Sequence, residues 1–384
     1  MSMSTTRRIP VDRYYLRNYN CKMQMSCKFA FAGTPVGKKQ MENNRKLEIV
    51  NMKIKLWIIG ALVFLLTACG PENFTGDATE TQNAKTDIVC TIFPAYDWTR
   101  QILGDTVDAV NLTLLTGNGA DMHSYQPTAA DIALLSTADI VICVGGETER
   151  WILDALEEND NEQQIVINMM ETLQQNILEE EIVEGMEHSD EECTEECNHV
   201  ENAADEHVWL SLQNAKLICE EIADALISIN PDEGSTYDAN AENYCAQLET
   251  LRERYREAVE GADSNVLIFA DRFPFRYFTE EWGLEYYAAF PGCFAETEAS
   301  FETIIFLAEK ADQYNLPAVI VLEHSDAGVA ETVIENSQNK QREILVMNSM
   351  QSVSMEEVTA GTSYIGIMED NLAVLIQALD SEAQ

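Results

Sequence analysis

From about residue 87 onward, short apolar runs alternate with stretches whose apolar residues recur at helical spacing. Ile88-Val89-Cys90-Thr91-Ile92-Phe93 is a continuous β-prone run that Pro94 stops, and a helical stretch follows from Tyr96 through Trp98, Ile102 and Leu103. Val107 to Leu115 predicts a second strand, Ala129 to Leu135 a helix, and Ile140 to Val144 a buried strand closed by Gly145-Gly146. Leu210 to Ile229 is amphipathic. A longer helix is predicted from about Ser235 to Val259, with Tyr237, Tyr244, Leu248, Leu251, Tyr255 and Val259 on one stripe and Gly261 ending it. Val266 to Ala270 then reads as a strand, Phe301 to Lys310 as a helix and Ala318 to Leu322 as another buried strand. Strands separated by helices imply parallel βαβ units, and a long helix between two such sections suits a spine joining two lobes.

The chain has 384 residues and a formal net charge of −42. Carboxylates in such excess argue against a nucleic-acid partner, which needs clustered Lys and Arg. An apolar fraction of 46% excludes wholesale disorder. The charge is uneven: residues 1–68 hold twelve Lys and Arg against three acids, so a basic leader precedes an acidic body. Within the leader, Met52-Lys53-Ile54-Lys55 is a positive start, Leu56 to Leu66 is an apolar run short for a bilayer span, and Leu66-Thr67-Ala68-Cys69-Gly70 follows. Residues 52–68 therefore read as a signal peptide whose end resembles a bacterial lipobox, with Cys69 the lipidated N-terminus of the mature protein. Residues 1–51 read as a misassigned extension upstream of Met52, and 69–86 as a flexible tether. The seven remaining Cys are too scattered for a dense disulfide framework.

Five His are present: His123, His188, His199, His207 and His324. His123 and His207 stand in loops before helices, Ala120 to Thr128 and Asp205 to Ser211. Loops at strand ends are where α/β folds hold ligands, and imidazole suits Zn²⁺ or Mn²⁺. The segment Glu179 to His207 carries thirteen Asp and Glu and no Lys or Arg. His188, Cys193, Cys197 and His199 lie within it; they read either as weak donors in a loop that concentrates cations or as part of a solvated run whose two Cys pair.

The two His loops resemble the Asp-Pro-His-x-Tyr-x-Pro-Thr and Asp-Pro-His-Val-Trp loops of metal-binding lipoproteins of ABC importers in the zinc and manganese group. Thr91 to Trp98, Gly145-Gly146-Glu147 before Trp151, Ala270 to Phe278, Phe290 to Cys293 and Glu296-Thr297-Glu298 add to the resemblance, which covers residues 87 to 384 in order. It implies an α/β fold of two Rossmann-like lobes, each a parallel-type sheet flanked by helices, joined by a long rigid helix. The lobes would be 87–234, including the acidic loop 179–206, and 261–384, with the linking helix at 235–260. It implies a metal held between the lobes, with His123 and His207 as ligands from the first. Alignment on Phe275-Arg276-Tyr277 places Arg272 at a family ligand position; Arg has no lone pair to offer a cation, so Asp271 is the expected substitute. The fourth donor is open between Asn348, Gln351, Glu323 and water. The expected function is capture of Zn²⁺, or alternatively Mn²⁺, for an ABC importer permease, by a monomer anchored through Cys69 on the extracellular face of a Gram-positive cell, with no enzymatic activity. Affinity is expected to fall as pH drops through the imidazole range. A zinc-dependent hydrolase, or a metal-buffering or adhesion lipoprotein without a permease, are the alternatives.

Overall fold

Two four-stranded sheets, every pairing within them parallel, organise the chain. A computed structural model describes residues 85–157, 161, 163–187, 203–292 and 298–380. The signal segment, Cys69 and the tether up to residue 84 lie outside the described residues, as do His188, Cys193, Cys197, His199, Cys293, Glu296 and Thr297. The first sheet has the order β2-β1-β3-β4, from β1 (Thr86–Cys90), β2 (Val110–Leu114), β3 (Ile140–Cys143) and β4 (Ile165–Asn168). The second has the order β6-β5-β7-β8, from β5 (Val266–Phe273), β6 (Glu285–Pro291), β7 (Ala318–Leu322) and β8 (Glu343–Met347). The chain is thus a two-lobed α/β protein.

In the first lobe, α1 (Phe93–Leu103), α2 (Ala129–Thr137), α3 (Arg150–Glu157) and α4 (Met169–Thr172) follow β1 to β4 in turn. The strand expected to reach Phe93 ends at Cys90, and Pro94 sits in the first turn of α1 rather than ahead of it. Its missing N–H costs nothing there, because first-turn amides have no intrahelical acceptor. Only Val110–Leu114 of the expected Val107 to Leu115 strand is extended, Gly104–Ala109 being 3₁₀. Thr128 closes a capping box with Asp131, which starts α2 just after the His123 loop. Helices α5 (Leu212–Ile229) and α6 (Gly234–Gly261) follow, and α6 is the predicted spine. The second lobe adds α7 (Arg276–Trp282), α8 (Phe301–Gln313), α9 (Gly328–Asn336), α10 (Met355–Ala360) and α11 (Tyr364–Leu379).

The spine is not the sole link between lobes. One apolar cluster runs from Ile88, Ile140 and Ile142 through Trp98, Leu248 and Tyr255 to Phe269, Phe278 and Leu375, so both sheets share a core. Helix α11 turns back onto the first lobe: Tyr364 N–H donates to Asp97 (2.9 Å), its hydroxyl donates to the Trp209 carbonyl (2.6 Å), and its ring meets Trp98 edge-on at 5.0 Å. Two smaller clusters fill the outer faces of the sheets. The described arm of the acidic segment, expected to be a loose solvated loop, is instead built into the second lobe. Tyr286 donates to Glu181, Thr303 donates to the Gly185 carbonyl, and Glu187 N–H donates to the Ala289 carbonyl. Among the described residues no helix is long and apolar enough to cross a membrane.

Candidate metal centre

His123 and His207 are 84 residues apart in sequence and meet in space, their Nε2 atoms 3.1 Å from each other. Each is aimed by an Asp two residues earlier. Asp121 Oδ1 accepts the His123 N–H (2.9 Å), and Asp205 Oδ1 accepts the His207 N–H (2.8 Å). Asp205 Oδ1 also lies 3.0 Å from His207 Nδ1. A carboxylate there holds the proton on Nδ1 and leaves the Nε2 lone pair directed at the partner ring. His123 Nδ1 is set by the Thr148 hydroxyl at 3.1 Å. This repeated Asp-x-His arrangement is legible in the sequence; Thr148 carries no such signal.

Burial supports the pair from behind. His207 is 0% exposed, and Trp209 packs edge-on against it at 5.4 Å. The loop Gly145-Gly146-Glu147-Thr148 is held by two buried carboxylates: Glu206 accepts the Thr148 N–H (2.9 Å), and Glu149 accepts the N–H groups of Val144 (2.6 Å) and Gly145 (3.1 Å). A Cβ at position 146 would lie 2.3 Å from Glu206 Cδ, so a glycine is what lets that carboxylate reach the loop. Gly292, at the end of β6, likewise brings the second lobe against the pair; a Cβ there would lie 3.0 Å from His207 Cε1 and 2.9 Å from the Phe273 carbonyl. The two lobes therefore close over the rings.

Burial, then the neighbouring His207, pushes the His123 imidazole down to about 3. Unfolded, the same ring titrates near 6.5. Below about 6.5 the unfolded chain thus takes up a proton that the folded chain refuses, so His123 contributes stability that is full above that pH and lost as pH falls toward 3. Glu149, which burial pushes up to about 7, acts with the opposite slope over the upper part of the window. Because the two offset each other in the wild type, the difference between proteins is the informative quantity. On going from pH 7 to pH 5 the urea midpoint should change less favourably for the wild type than for His123→Ala; equal changes would refute the assignment.

The sequence profile of the family described as zinc-uptake complex component A, periplasmic, matches residues 88–378, both lobes included. The chain belongs to this ZnuA family. The high-affinity zinc uptake system protein ZnuA of Bacillus subtilis (strain 168) is 28% identical over 324 residues, covering 84% of this chain and 97% of that protein. The zinc-binding lipoprotein AdcA of Streptococcus pneumoniae (strain ATCC BAA-255 / R6) is 28% identical over 330 residues, covering 86% of this chain but 62% of that longer protein. Among solved structures, the Zn(II)-bound ZnuA-like domain of Streptococcus pneumoniae AdcA matches with a TM-score of 0.60 at 26% identity, covering 77% of this chain and all 100% of that one. The zinc-binding protein TroA of Treponema pallidum has the same fold, with a TM-score of 0.60 at 22% identity over 77% of this chain and 100% of its own.

The second-lobe residues of this ZnuA-family chain are arranged differently from its histidines. Strand β5 is irregular between Phe269 and Arg272, and within that irregularity Asp271 turns its carboxylate to backbone: Oδ2 accepts the Leu322 N–H (3.2 Å) and Oδ1 the Arg272 N–H (2.8 Å). Arg272 instead reaches across the lobes to Asp121 (3.1 Å). Among the described residues no group of three or more His, Cys, Asp or Glu is placed to hold a metal ion together. Of the open fourth donors, Glu323 accepts both the hydroxyl (2.6 Å) and the N–H (2.8 Å) of Ser349, and Asn348 Oδ1 accepts the Met350 N–H (2.8 Å). Gln351 is 3% exposed, and neither atom of its amide has a hydrogen-bond partner. Its loop is tied to the His207 loop by Trp209 Nε1–H, which donates to the Ser349 carbonyl (2.8 Å), and just beyond it Met355 N–H donates to the Gly117 carbonyl (2.9 Å), ahead of the His123 loop.

Proposed function

We propose that this chain is a solute-binding protein that captures Zn²⁺ through His123 and His207 and presents it to the permease of an ABC importer. The observation that carries this reading is the ring-to-ring distance. Two imidazole nitrogens each about 2.0–2.1 Å from a tetrahedral Zn²⁺ stand about 3.3 Å apart, and the Nε2 atoms are 3.1 Å apart. Supporting hydrogen bonds behind each ring, an Asp for His207 and Thr148 for His123, are what a ligating imidazole needs to hold its tautomer and direction. Membership of a zinc-uptake family, rather than of an enzyme family, supports capture and delivery over hydrolysis.

From the second lobe Asp271 is the carboxylate that would join the ion, and to do so it leaves the Leu322 amide. Gln351 is the fourth donor best supported, since a bound cation would occupy a buried amide oxygen that otherwise goes unpaired. Lipidation of Cys69 and display on the extracellular face of the membrane complete the reading, supported by the lipobox-like Leu66 to Gly70 and by the lipoprotein relative.

Calorimetry with Zn²⁺ and with Mn²⁺ tests it. One tight equivalent of Zn²⁺ is expected, with Mn²⁺ weaker, because imidazole nitrogens favour zinc in the affinity series. Asp271→Asn should weaken Zn²⁺ less than loss of either His does, since the carboxylate has a structural task in the ion-free fold. An Asp271→Asn effect larger than that of His123→Ala would show that the site is centred on the second lobe instead.

A further inference from the structure

Residues 178–180 and 203–205 form a short antiparallel ladder just ahead of His207. Glu179 bridges Ala204, Glu180 N–H donates to the Ala203 carbonyl (2.8 Å), and Asp205 N–H donates to the Leu178 carbonyl (2.9 Å). In a regular ladder Leu178 and Asp205 would exchange two bonds, the second running from the Leu178 N–H to the Asp205 carbonyl. That second bond is intercepted. The Tyr277 hydroxyl, reaching in from the start of α7 in the second lobe, accepts the Leu178 N–H (3.1 Å) and donates to the Asp205 carbonyl (2.8 Å). The Tyr277 ring is 3% exposed within the shared core, and burial pushes the pKa of the phenol up, so the proton it donates stays on the oxygen.

We propose that Tyr277 is a positioning residue for zinc: its hydroxyl wedges this pair open and so lets the second lobe set the aim of His207. The proposal rests on the function proposed above and adds a coupling to it. Asp205 carries the wedge to the ring, since its carbonyl is held by Tyr277 while its Oδ1 accepts the His207 N–H (2.8 Å) and lies 3.0 Å from Nδ1. A shift of α7 relative to the first lobe, or loss of the hydroxyl, breaks the bond to Asp205 and frees its carbonyl to take the Leu178 N–H directly. The backbone is then satisfied, but the carboxylate turns with it and Nε2 is aimed off the ion. Release of the ion is thereby tied to movement of the second lobe at one hydroxyl. The bonds from Tyr286 to Glu181 and from Thr303 to the Gly185 carbonyl fasten the same segment to the second lobe, but their acceptors lie outside the His207 loop.

The test compares Tyr277→Phe with Tyr286→Phe, each of which removes one hydroxyl between the second lobe and residues 178–187, by Zn²⁺ calorimetry on the full chain. Tyr277→Phe is expected to bind Zn²⁺ about tenfold more weakly, the lower end of what disturbing a group behind a ligand costs, with Tyr286→Phe within about twofold of wild type. A second readout needs no metal. Nitrogen-15 shifts of the imidazoles report the tautomer of His207, expected to be Nδ1–H alone in the wild type and a mixture of both tautomers in Tyr277→Phe. Three outcomes overturn the proposal: Tyr277→Phe binding Zn²⁺ within about twofold of wild type, an equal loss in Tyr286→Phe, or the same His207 tautomer in wild type and Tyr277→Phe. A wild type that binds no Zn²⁺ refutes the proposed function instead, and the tautomer comparison then still decides whether Tyr277 aims His207.

Discussion

His207→Ala is expected to weaken Zn²⁺ binding by more than about 100-fold while leaving the protein folded. The magnitude follows from the position of the ring. Removing a group that only orients a ligand costs roughly 10–100-fold in metal affinity, so removing the ligand itself costs at least the upper end. Asp205→Asn, which removes the charge of the carboxylate that accepts both the His207 N–H and its Nδ1–H but leaves the ring in place, belongs in that 10–100-fold range and so calibrates the larger effect. Because His207 is wholly buried against Trp209, its deletion also leaves a cavity, and the melting curve has to be followed alongside calorimetry. A folded His207→Ala protein that binds Zn²⁺ within threefold of wild type would remove the basis of the proposed function.

Tyr364→Ala is expected to cost about 3–5 kcal/mol of folding stability, the range for truncating a fully buried aromatic. The Tyr364 side chain ties the C-terminal helix to the first lobe in two ways, and its backbone N–H, which both variants keep, adds a third. Its ring contacts Trp98, its hydroxyl satisfies the Trp209 carbonyl, and its N–H satisfies Asp97. Tyr364→Phe separates these contributions: it keeps the ring and orphans a buried carbonyl, at about 1–3 kcal/mol. Since Trp209 is two residues beyond His207, Tyr364→Phe should also weaken Zn²⁺ binding, by less than tenfold. Denaturant unfolding of both variants checks the order. Equal losses for Ala and Phe would mean that ring packing contributes nothing and that the shared core is not what joins the lobes.

That shared core bears on how capture proceeds. Lobes linked only by a hinge swing freely, whereas lobes that bury a continuous apolar cluster resist separation. The Asp121–Arg272 bridge and the bonds of residues 178–187 to the second lobe add polar ties across the cleft. Arg272 thus does at its position something opposite to ligation: it holds the lobes together through an anion that also caps the His123 loop. On the proposed function, release of Asp271 from the Leu322 N–H is the local adjustment the second lobe would have to make to join the ion.

Much of the architecture was legible along the chain. Apolar runs such as Ile140 to Val144 and Ala318 to Leu322, and the aromatic and aliphatic stripe of the spine, follow from periodicities that neighbouring residues enforce on one another. Three strands were not read: β4, β6 and β8, all at sheet edges, were absent from the expected elements, and the exposed Val166 and Val346 show that an apolar run at an edge is only partly buried. The two Asp-x-His loops were likewise visible, because an Asp that accepts the amide two residues on is a local device.

What the sequence determined by itself is therefore the set of parts: parallel βαβ units, a long joining helix, and two histidines poised on loops. Tertiary structure decided which parts meet. It brought His123 to His207 across 84 residues, turned Asp271 toward the Leu322 amide, gave Arg272 to Asp121, and left Gln351 buried without a partner. The reason is physical. Helix, strand and turn preferences are set by bonds within a few residues, whereas side-chain pairing across a cleft depends on strand order, crossovers and a register shift in β5, none of which leaves a local trace.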